Sequence, residues 1–388
     1  MTANKKEKKL KKFKNKNIIY VIESFILTAA AVFLSVISGI LVANLTGVLC
    51  IIAASAFIAC VLFLTNPSVI IISGVASFAI TFTLNGSIIS ALASLPYVII
   101  GAFIYFGIKS KNKKSRTQIT VRIATVLAVF YFLLLALSFM LETGTFYSGM
   151  IAMASRIDKT LSEGVETVVR QYISISMLPA QSSSISAAEE AAQQAYLIES
   201  YVKELVMNFK AIIPAGFVLY NLLIAYLSTS LFKSAYNIFI PMANPDRKKI
   251  KNKYWRINIS VASAIIMTVI LFFSVVLSKS ENIIWPIMLT NMTYILAPGF
   301  CLMGVYLAYD KIFMGKSVIF PAILAAGVIM LAFVFSAAVF VLYSAAAVLM
   351  AVGIYAALIE DIKKLFEKAK KALFGDGNDD DDDDDYID

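Results

Sequence analysis

Long apolar blocks recur along almost the whole chain. They lie at about 18–45, 47–65, 67–84, 88–108, 119–141, 211–232, 257–278, 283–308, 317–337 and 339–359. A helix needs about 20 mostly apolar residues to cross a bilayer, so each block is long enough for one crossing. Apolar residues make up 60% of the chain and charged residues 15%, a balance that one soluble core would not absorb. We therefore predict an all-α, polytopic transmembrane helix bundle of about ten spans, surrounded by the lipid bilayer.

Basic residues are unevenly distributed between the segments that join these blocks. Cytoplasmic segments of membrane proteins are enriched in Lys and Arg. Of the 34 such residues, 28 lie in 1–17, 109–122, 233–256, 311–316 and 363–371. An even number of spans then places both termini in the cytoplasm. The last two blocks form one apolar run, so this topology requires a tight hairpin near Ala337 and Ala338. The abundance of Ile, Lys and Asn is typical of AT-rich bacterial genomes, so we expect a multi-pass protein of a bacterial cell membrane.

The spans divide the chain into six regions. Residues 1–17 form a basic cytoplasmic arm, 18–141 an N-terminal membrane bundle of five spans, 142–210 an extracytoplasmic helical hairpin and 211–360 a C-terminal membrane bundle of five spans. The composition of 361–375 predicts a basic amphipathic helix at the membrane surface, where anionic lipids attract lysine. The tail at 376–388 contains seven consecutive aspartates. We expect it to be disordered and solvated, or else to bind a basic partner.

The hairpin prediction depends on two apolar stripes with helical spacing. One stripe comprises Ala188, Ala191, Ala195, Ile198, Val202, Leu205 and Phe209, and the other comprises Ile157, Leu161, Val165, Val168, Tyr172 and Ile175. Pro179 and a serine run lie between them, which predicts a loose tip. The hairpin either packs only on itself or forms a lid over a pocket.

Several function classes lack the residues that they need. Histidine is absent, which removes the usual general base and the most common metal ligand. Cys50, Cys60 and Cys301 all fall within apolar blocks and no C-x-x-C pair exists, so neither disulfides nor a zinc site is expected. No span carries a pair of carboxylates, and no pattern suits nucleic acid. We therefore expect no enzyme activity, no catalytic residue, no metal, no cofactor and no nucleic-acid partner.

Candidates for solute binding are neutral polar residues within two spans. They are Tyr220 and Asn221 in the sixth span, and Thr290, Asn291 and Thr293 in the eighth. The eighth span also contains Pro286, Pro298 and Gly299, which predict a broken or kinked helix. Freed backbone carbonyls and Asn carboxamides can then face a cavity and hold a polar solute. The alternative is that these side chains hydrogen-bond to neighbouring helices.

Glu23 is the clearest ionisable residue inside a predicted span. A charge at membrane depth is costly, so such a residue is a functional candidate. Glu23 lies near the start of the first span, however. It can instead reach the cytoplasmic interface or pair with the lysine-rich arm.

Small residues recur at four-residue intervals in the first and third spans. Ala31, Ser35 and Gly39 share one helix face in the first span, and a similar series in the third comprises Ser73, Ser77 and Thr81. Such faces let another helix approach closely. They serve either packing within the chain or contact with another subunit.

Four motifs of the C-terminal half are IIPAGFVLYNLLIAYLSTSLF, KNKYWRINI, NMTYILAPGFCLMGVYLAYDK and GIYAALIEDIKKLFEK. In these motifs the chain resembles the YybS-like family of bacterial membrane proteins, whose function is unsettled. The family in turn resembles the S components of energy-coupling-factor vitamin transporters. That resemblance implies that Ala31, Ser35 and Gly39 dock a membrane or ATPase partner subunit. The hairpin and the acidic tail depart from the S-component pattern, and no S-component ligand motif is recognisable.

Two hypotheses about function follow. The first is a solute-binding or transport-related membrane subunit, with spans one to six as an S-component-like core and a polar cavity near Asn221 and Asn291. The second is a non-transporting scaffold of the cell envelope, which recruits cytoplasmic partners through its charged termini. An intramembrane enzyme is disfavoured because the chain has no histidine and no carboxylate pair in any span.

Overall fold

A computed structural model describes residues 3–42, 44–110, 115–176, 187–243, 249–250, 257–277, 284–312 and 344–358. These ranges are all-helical and contain no strand. The helices are α1 (Ala3–Ile40), α2 (Leu45–Leu64), α3 (Val69–Asn85), α4 (Ile88–Ala93), α5 (Pro96–Lys109), α6 (Arg116–Thr143), α7 (Phe146–Ser176), α8 (Ala187–Ala243), α9 (Val261–Val276), α10 (Ile284–Ile312) and α11 (Ser344–Leu358).

Within the described ranges, six helical segments are long and apolar enough to cross a membrane. They are Val21–Ile40, Leu45–Leu64, Ile88–Lys109, Arg116–Thr143, Ile198–Met242 and Ile284–Leu307. The shorter apolar helices α3, α9 and α11 coincide with three further predicted spans. These helices confirm an all-α protein of membrane type. The predicted span at 317–337 and the hairpin at Ala337 and Ala338 lie outside the described residues, so the total of ten and the placement of both termini stay predictions.

Local sequence signals set several helix ends. Ser115 and Gln118 form a reciprocal capping box, in which each side chain accepts from the other residue's backbone N–H, so α6 begins there. Gly86 ends α3 with φ of 64°, a left-handed conformation that glycine adopts without a steric cost. Pro96 is the first residue of α5, where its missing N–H removes no helical hydrogen bond.

The fourth predicted span is interrupted, whereas the eighth is not. Ser94 and Leu95 separate α4 from α5, with Pro96 directly after them. By contrast, α10 runs through Pro286 and Pro298 as one helix, so a break there is wrong and the kink stays a prediction. Pro286 is the third residue of α10, in the first turn, where backbone N–H groups have no partner within the helix anyway.

A single core joins the first, second, fourth and fifth predicted spans to the sixth, and α3, the third span, packs against α1 and α4. Helix α2 is central and packs against α1, α5 and α8. The buried residues of this core come from α1, α2, α5, α6 and the second half of α8, and include Ile58, Tyr97, Ile123 and Phe232. A second, smaller core joins α9, α10 and α11 around Met267 and Phe300. Spans one to six of the predicted S-component-like core therefore pack as one unit.

The two ends of the chain differ in what the structure describes. Helix α1 begins at Ala3, so the predicted basic arm continues the helix of the first span. The predicted amphipathic helix at 361–375 and the acidic tail at 376–388 lie outside the described residues.

Helices α7 and α8 pack against each other in the region of the predicted hairpin. Val165, Val169 and Val206 are buried between them, and Leu161, Ile198 and Val202 pack against these three. The predicted stripes hold at Leu161, Val165, Ile198 and Val202 and then shift by one position, because Val168 is 63% exposed and Val169 7%. The predicted loose tip, with Pro179, falls in 177–186, outside the described residues. Helix α8 has 57 residues, about 85 Å, so it extends well beyond one bilayer crossing.

Candidate functional site

The Asn291 carboxamide contacts the backbone of α8. Its Nδ2 donates to the Ala211 carbonyl at 2.6 Å, and its Oδ1 accepts from the Ala215 N–H at 2.9 Å. These two backbone groups are four residues apart, so they pair with each other in an uninterrupted α-helix. Asn291 thus bridges one rung of the hydrogen-bond ladder of a neighbouring helix.

Pro214 lies within the bridged turn of α8. Proline has no backbone N–H, so the Lys210 carbonyl loses its usual partner, and the proline ring crowds that carbonyl. The Lys210 side chain forms an ion pair with Asp158 of α7. We call residues 210–215 with Asn291 the α8 joint. At this joint the part of α8 that packs on α7 meets the predicted sixth span, 211–232.

A cleft of about 590 Å³ opens beside the joint, between α7, α8 and α10. Its wall is almost entirely apolar. The lining residues are Arg156, Ile157, Thr160, Leu161, Phe209, Ile212, Ile213, Ala215, Gly216, Leu219 and Tyr294. Ala215 therefore both lines the cleft and donates to Asn291. Below, "the cleft" means this site.

The predicted solute-binding residues of the eighth span lie next to the cleft but do not line it. Thr290 is exposed, and the Thr293 hydroxyl donates to the Leu289 carbonyl of its own helix at 2.9 Å. Asn291 uses both ends of its carboxamide on helix backbone, since Nδ2 also donates to the Ile287 carbonyl. Asn291 therefore hydrogen-bonds to a neighbouring helix, which is the second of the two predicted roles.

The predicted pair in the sixth span lies elsewhere on α8. Asn221 is fully buried, its Nδ2 donates to the Phe217 carbonyl at 2.8 Å, and its Oδ1 makes no hydrogen bond among the described residues. Tyr220 lies beside Tyr131 of α6, with ring centroids 6.2 Å apart. Both tyrosines, with Ser38, line a second cavity of about 20 Å³, room for roughly one water. Neither Asn221 nor Asn291 lines either of these two cavities.

Glu23 lies near the start of the apolar segment Val21–Ile40. Its side chain is half-buried near Cys60 of α2, and its Oε2 is buried without a hydrogen-bond partner in the described part of the chain. The basic arm next to it has no described side chains. Glu23 thus stays a candidate, and its pairing with the lysine-rich arm stays a prediction.

The predicted docking residues are buried inside this chain. Ala31 and Ser35 have no exposed surface. A Cβ placed on Gly39 would lie 2.7 Å from the Ser90 carbonyl oxygen and 2.8 Å from Cγ2 of Thr81, so α1 approaches α3 and α4 closely there. These contacts show packing within the chain and leave Ala31 and Ser35 no surface for another subunit.

Arg116 is a residue that the sequence analysis counted only as a topology charge. It is 5% exposed at the start of α6, and its guanidinium lies over the Tyr226 ring at 4.5 Å. It donates to the Thr229 hydroxyl at 3.3 Å, to the Tyr226 carbonyl at 3.2 Å and to the Ser230 hydroxyl. The Tyr226 hydroxyl in turn hydrogen-bonds to Tyr306 of α10. This contact set holds α6, α8 and α10 together.

Among the described residues, no group of three or more His, Cys, Asp or Glu side chains could hold a metal ion. Comparison of the chain with protein-family models, with curated proteins and with solved structures finds no match in any of the three. The resemblance to the YybS-like family therefore rests on the sequence motifs alone and stays a prediction.

Proposed function

We propose that this protein is a solute-binding or transport-related membrane subunit whose ligand site is the cleft between α7, α8 and α10. The cleft carries this proposal, because its volume of about 590 Å³ lies within the range of roughly 300–1,000 Å³ typical of small-molecule sites. Its α8 wall belongs to the apolar segment Ile198–Met242. On this proposal the cleft opens at the membrane interface, near the start of the predicted sixth span at residue 211, where a ligand moving along the bilayer would meet it.

The neighbouring joint supports a transport-related role over simple packing. Irregular backbone at membrane depth is a common setting for binding sites in transporters, where interrupted helices border the cavity. Pro214 removes one backbone hydrogen bond from α8, and Asn291 of α10 contacts the backbone of the same turn at Ala211 and Ala215. Two walls of the cleft are thus connected at one point. On this proposal an ATPase or other membrane partner drives or receives the transport step.

The test uses two glycines that are matched in their surroundings. A Cβ placed on Gly216, in the cleft, or on Gly164, elsewhere on α7, meets nothing within 4 Å. Gly216→Phe fills the cleft, whereas Gly164→Phe adds the same side chain outside it. Full-length wild type and both variants are extracted with their surrounding membrane, and copurifying small molecules and proteins are identified by mass spectrometry.

The proposal expects one enriched small molecule or lipid in wild type and in Gly164→Phe, reduced about tenfold in Gly216→Phe, which corresponds to about 1.4 kcal/mol of binding free energy. A stoichiometric ATPase module in the same samples supports the transport role. Equal retention in all three proteins overturns the cleft as ligand site. Enrichment of envelope-synthesis or division proteins with no retained molecule favours the scaffold instead.

A further inference from the structure

We propose that the cleft binds an anionic lipid of the bilayer, with one acyl chain along α8 and the phosphate headgroup at Arg156. This inference rests on the proposed function and names the ligand class of the same site. It differs from the predicted polar solute, because the residues that form the cleft differ from those that the sequence singled out.

The cleft wall favours an acyl chain over a polar solute. Phe209, Ile213 and Leu219 present hydrocarbon to the cleft, and the polar groups of Thr160 and Tyr294 are few by comparison. A polar metabolite would lose its hydrogen bonds to water there without replacing them, which costs free energy. An acyl chain makes no hydrogen bonds to water, so it has none to lose on entering the cleft.

The length of the cleft matches one leaflet. Its α8 wall runs from Phe209 to Leu219, a rise of ten residue steps or about 15 Å along the helix. The hydrocarbon core of a bilayer is roughly 30 Å thick, so one leaflet contributes about half of that. An acyl chain lying along this wall would therefore extend from the membrane interface towards the midplane.

The charge in the cleft lining selects the headgroup. Arg156 is the one charged side chain among the described residues that line the cleft. Its nearest carboxylate is Glu142 at 3.8 Å, and both side chains are more than half exposed, so this ion pair is weak. Lys159 and Lys210 have their own partners, Glu163 and Asp158. A planar guanidinium matches the geometry of a phosphate, which two of its N–H groups can bind together.

The experiment compares two photoactivatable lipids in nanodiscs of phosphatidylcholine that contain the full-length chain. One is phosphatidylglycerol and the other phosphatidylcholine, each with a diazirine in the acyl chain and each present at the same trace level. Crosslinked positions are mapped by mass spectrometry in wild type, Arg156→Gln, Arg156→Lys and Lys159→Gln. Lys159→Gln is the matched control, since it removes a nearby cation that does not line the cleft.

We expect labelling of 209–219 by phosphatidylglycerol to exceed that by phosphatidylcholine about threefold, the size of effect that one exposed ionic contact provides. The ratio should fall to about one in Arg156→Gln and persist in Arg156→Lys and Lys159→Gln. On α9, away from the cleft, it should be near one in every protein. A ratio in Arg156→Gln equal to that of wild type overturns the headgroup assignment.

The remaining outcomes separate this inference from the proposed function. Equal labelling of the cleft by both lipids in wild type overturns the preference for an anionic headgroup and leaves the cleft a ligand site. An unlabelled cleft, together with a copurified metabolite that Gly216→Phe loses, overturns the lipid class alone. An unlabelled cleft with no molecule lost in Gly216→Phe overturns both.

Discussion

The Asn291 carboxamide oxygen accepts a hydrogen bond from the Ala215 N–H at 2.9 Å, one residue after the proline that interrupts the ladder of α8. The same carboxamide donates to the Ala211 carbonyl, so it contacts both ends of one helical rung. In a bilayer, water does not compensate for a backbone group without a partner. Asn291 therefore stabilises a turn of α8 that Pro214 weakens, and it connects α10 to that turn.

Asn291→Ala should lower the free energy of unfolding by about 1–2 kcal/mol, because hydrogen bonds between membrane helices contribute up to about this amount. The measurement is SDS titration of the purified protein in detergent micelles. Thr290→Ala is the matched control, since Thr290 is the exposed neighbour of Asn291, and it should change stability by less than about 0.5 kcal/mol. Equal losses in both variants would contradict the bridging role.

Pro214→Ala should reduce the loss caused by Asn291→Ala. Alanine restores the N–H that the Lys210 carbonyl needs and removes the crowding by the proline ring, so this turn of α8 depends less on the contact from Asn291. A double-mutant cycle with Pro214→Ala and Asn291→Ala measures this coupling, which we expect to be about 1 kcal/mol. Additive effects of the two substitutions would show that Asn291 acts independently of the proline.

Sequence patterns located the helices because span length and hydropathy are local properties. Nine of the ten predicted spans coincide with apolar helices in the described ranges. The hydrogen-bond partner of Asn291 could not be predicted, because the sequence of a span is the same whether its carboxamide faces a solute or another helix. The cleft could not be predicted either, because the residues that line it are distant in sequence and mostly apolar, so no polar motif marks it.

Arg116 shows a second reason for what the sequence missed. It lies at the end of the basic run KSKNKKSR, and the enrichment of cytoplasmic segments in Lys and Arg already accounts for every charge in that run. Only the fold separates it from Arg122, which is exposed six residues further along the same helix. The capping box at Ser115 and Gln118 is the sequence feature next to Arg116; it predicts where the helix begins but not which residues Arg116 contacts.

Arg116→Met should therefore destabilise the protein by about 2 kcal/mol, since hydrogen bonds to a charged group contribute about 1.5–3 kcal/mol each and methionine leaves their partners behind. Arg116→Lys should be intermediate, because lysine keeps the charge but not the planar fork. Arg122→Met is the control for removing a basic residue from α6. If it destabilises the protein as much as Arg116→Met does in the same SDS titration, the contacts with Thr229 and Tyr226 are not what matters.

Gly39→Ala should destabilise the isolated protein by about 1–3 kcal/mol, the usual cost of overpacking. The new Cβ would lie 2.7 Å from a backbone oxygen of Ser90, which cannot rotate away as a side chain can. Gly74→Ala is the matched control, because its nearest contact is Cγ2 of Val98 at an ordinary 3.5 Å. Thermal unfolding of both variants in micelles checks the difference. A Gly39→Ala protein that is stable alone but loses a copurifying subunit would instead support the docking role.

The register of α7 against α8 gives the last prediction. Val169 is buried against α8, and its neighbour Val168 points to the surface. Helical spacings of three and four residues both keep a side chain near one face, which is why the sequence pattern chose the neighbouring position. Val169→Ala removes two buried methyl groups and should cost about 1.5 kcal/mol, whereas Val168→Ala should be close to neutral. Hydrogen exchange along 161–169 measures this cost as faster local opening in Val169→Ala; faster exchange in Val168→Ala instead would restore the register that the sequence predicted.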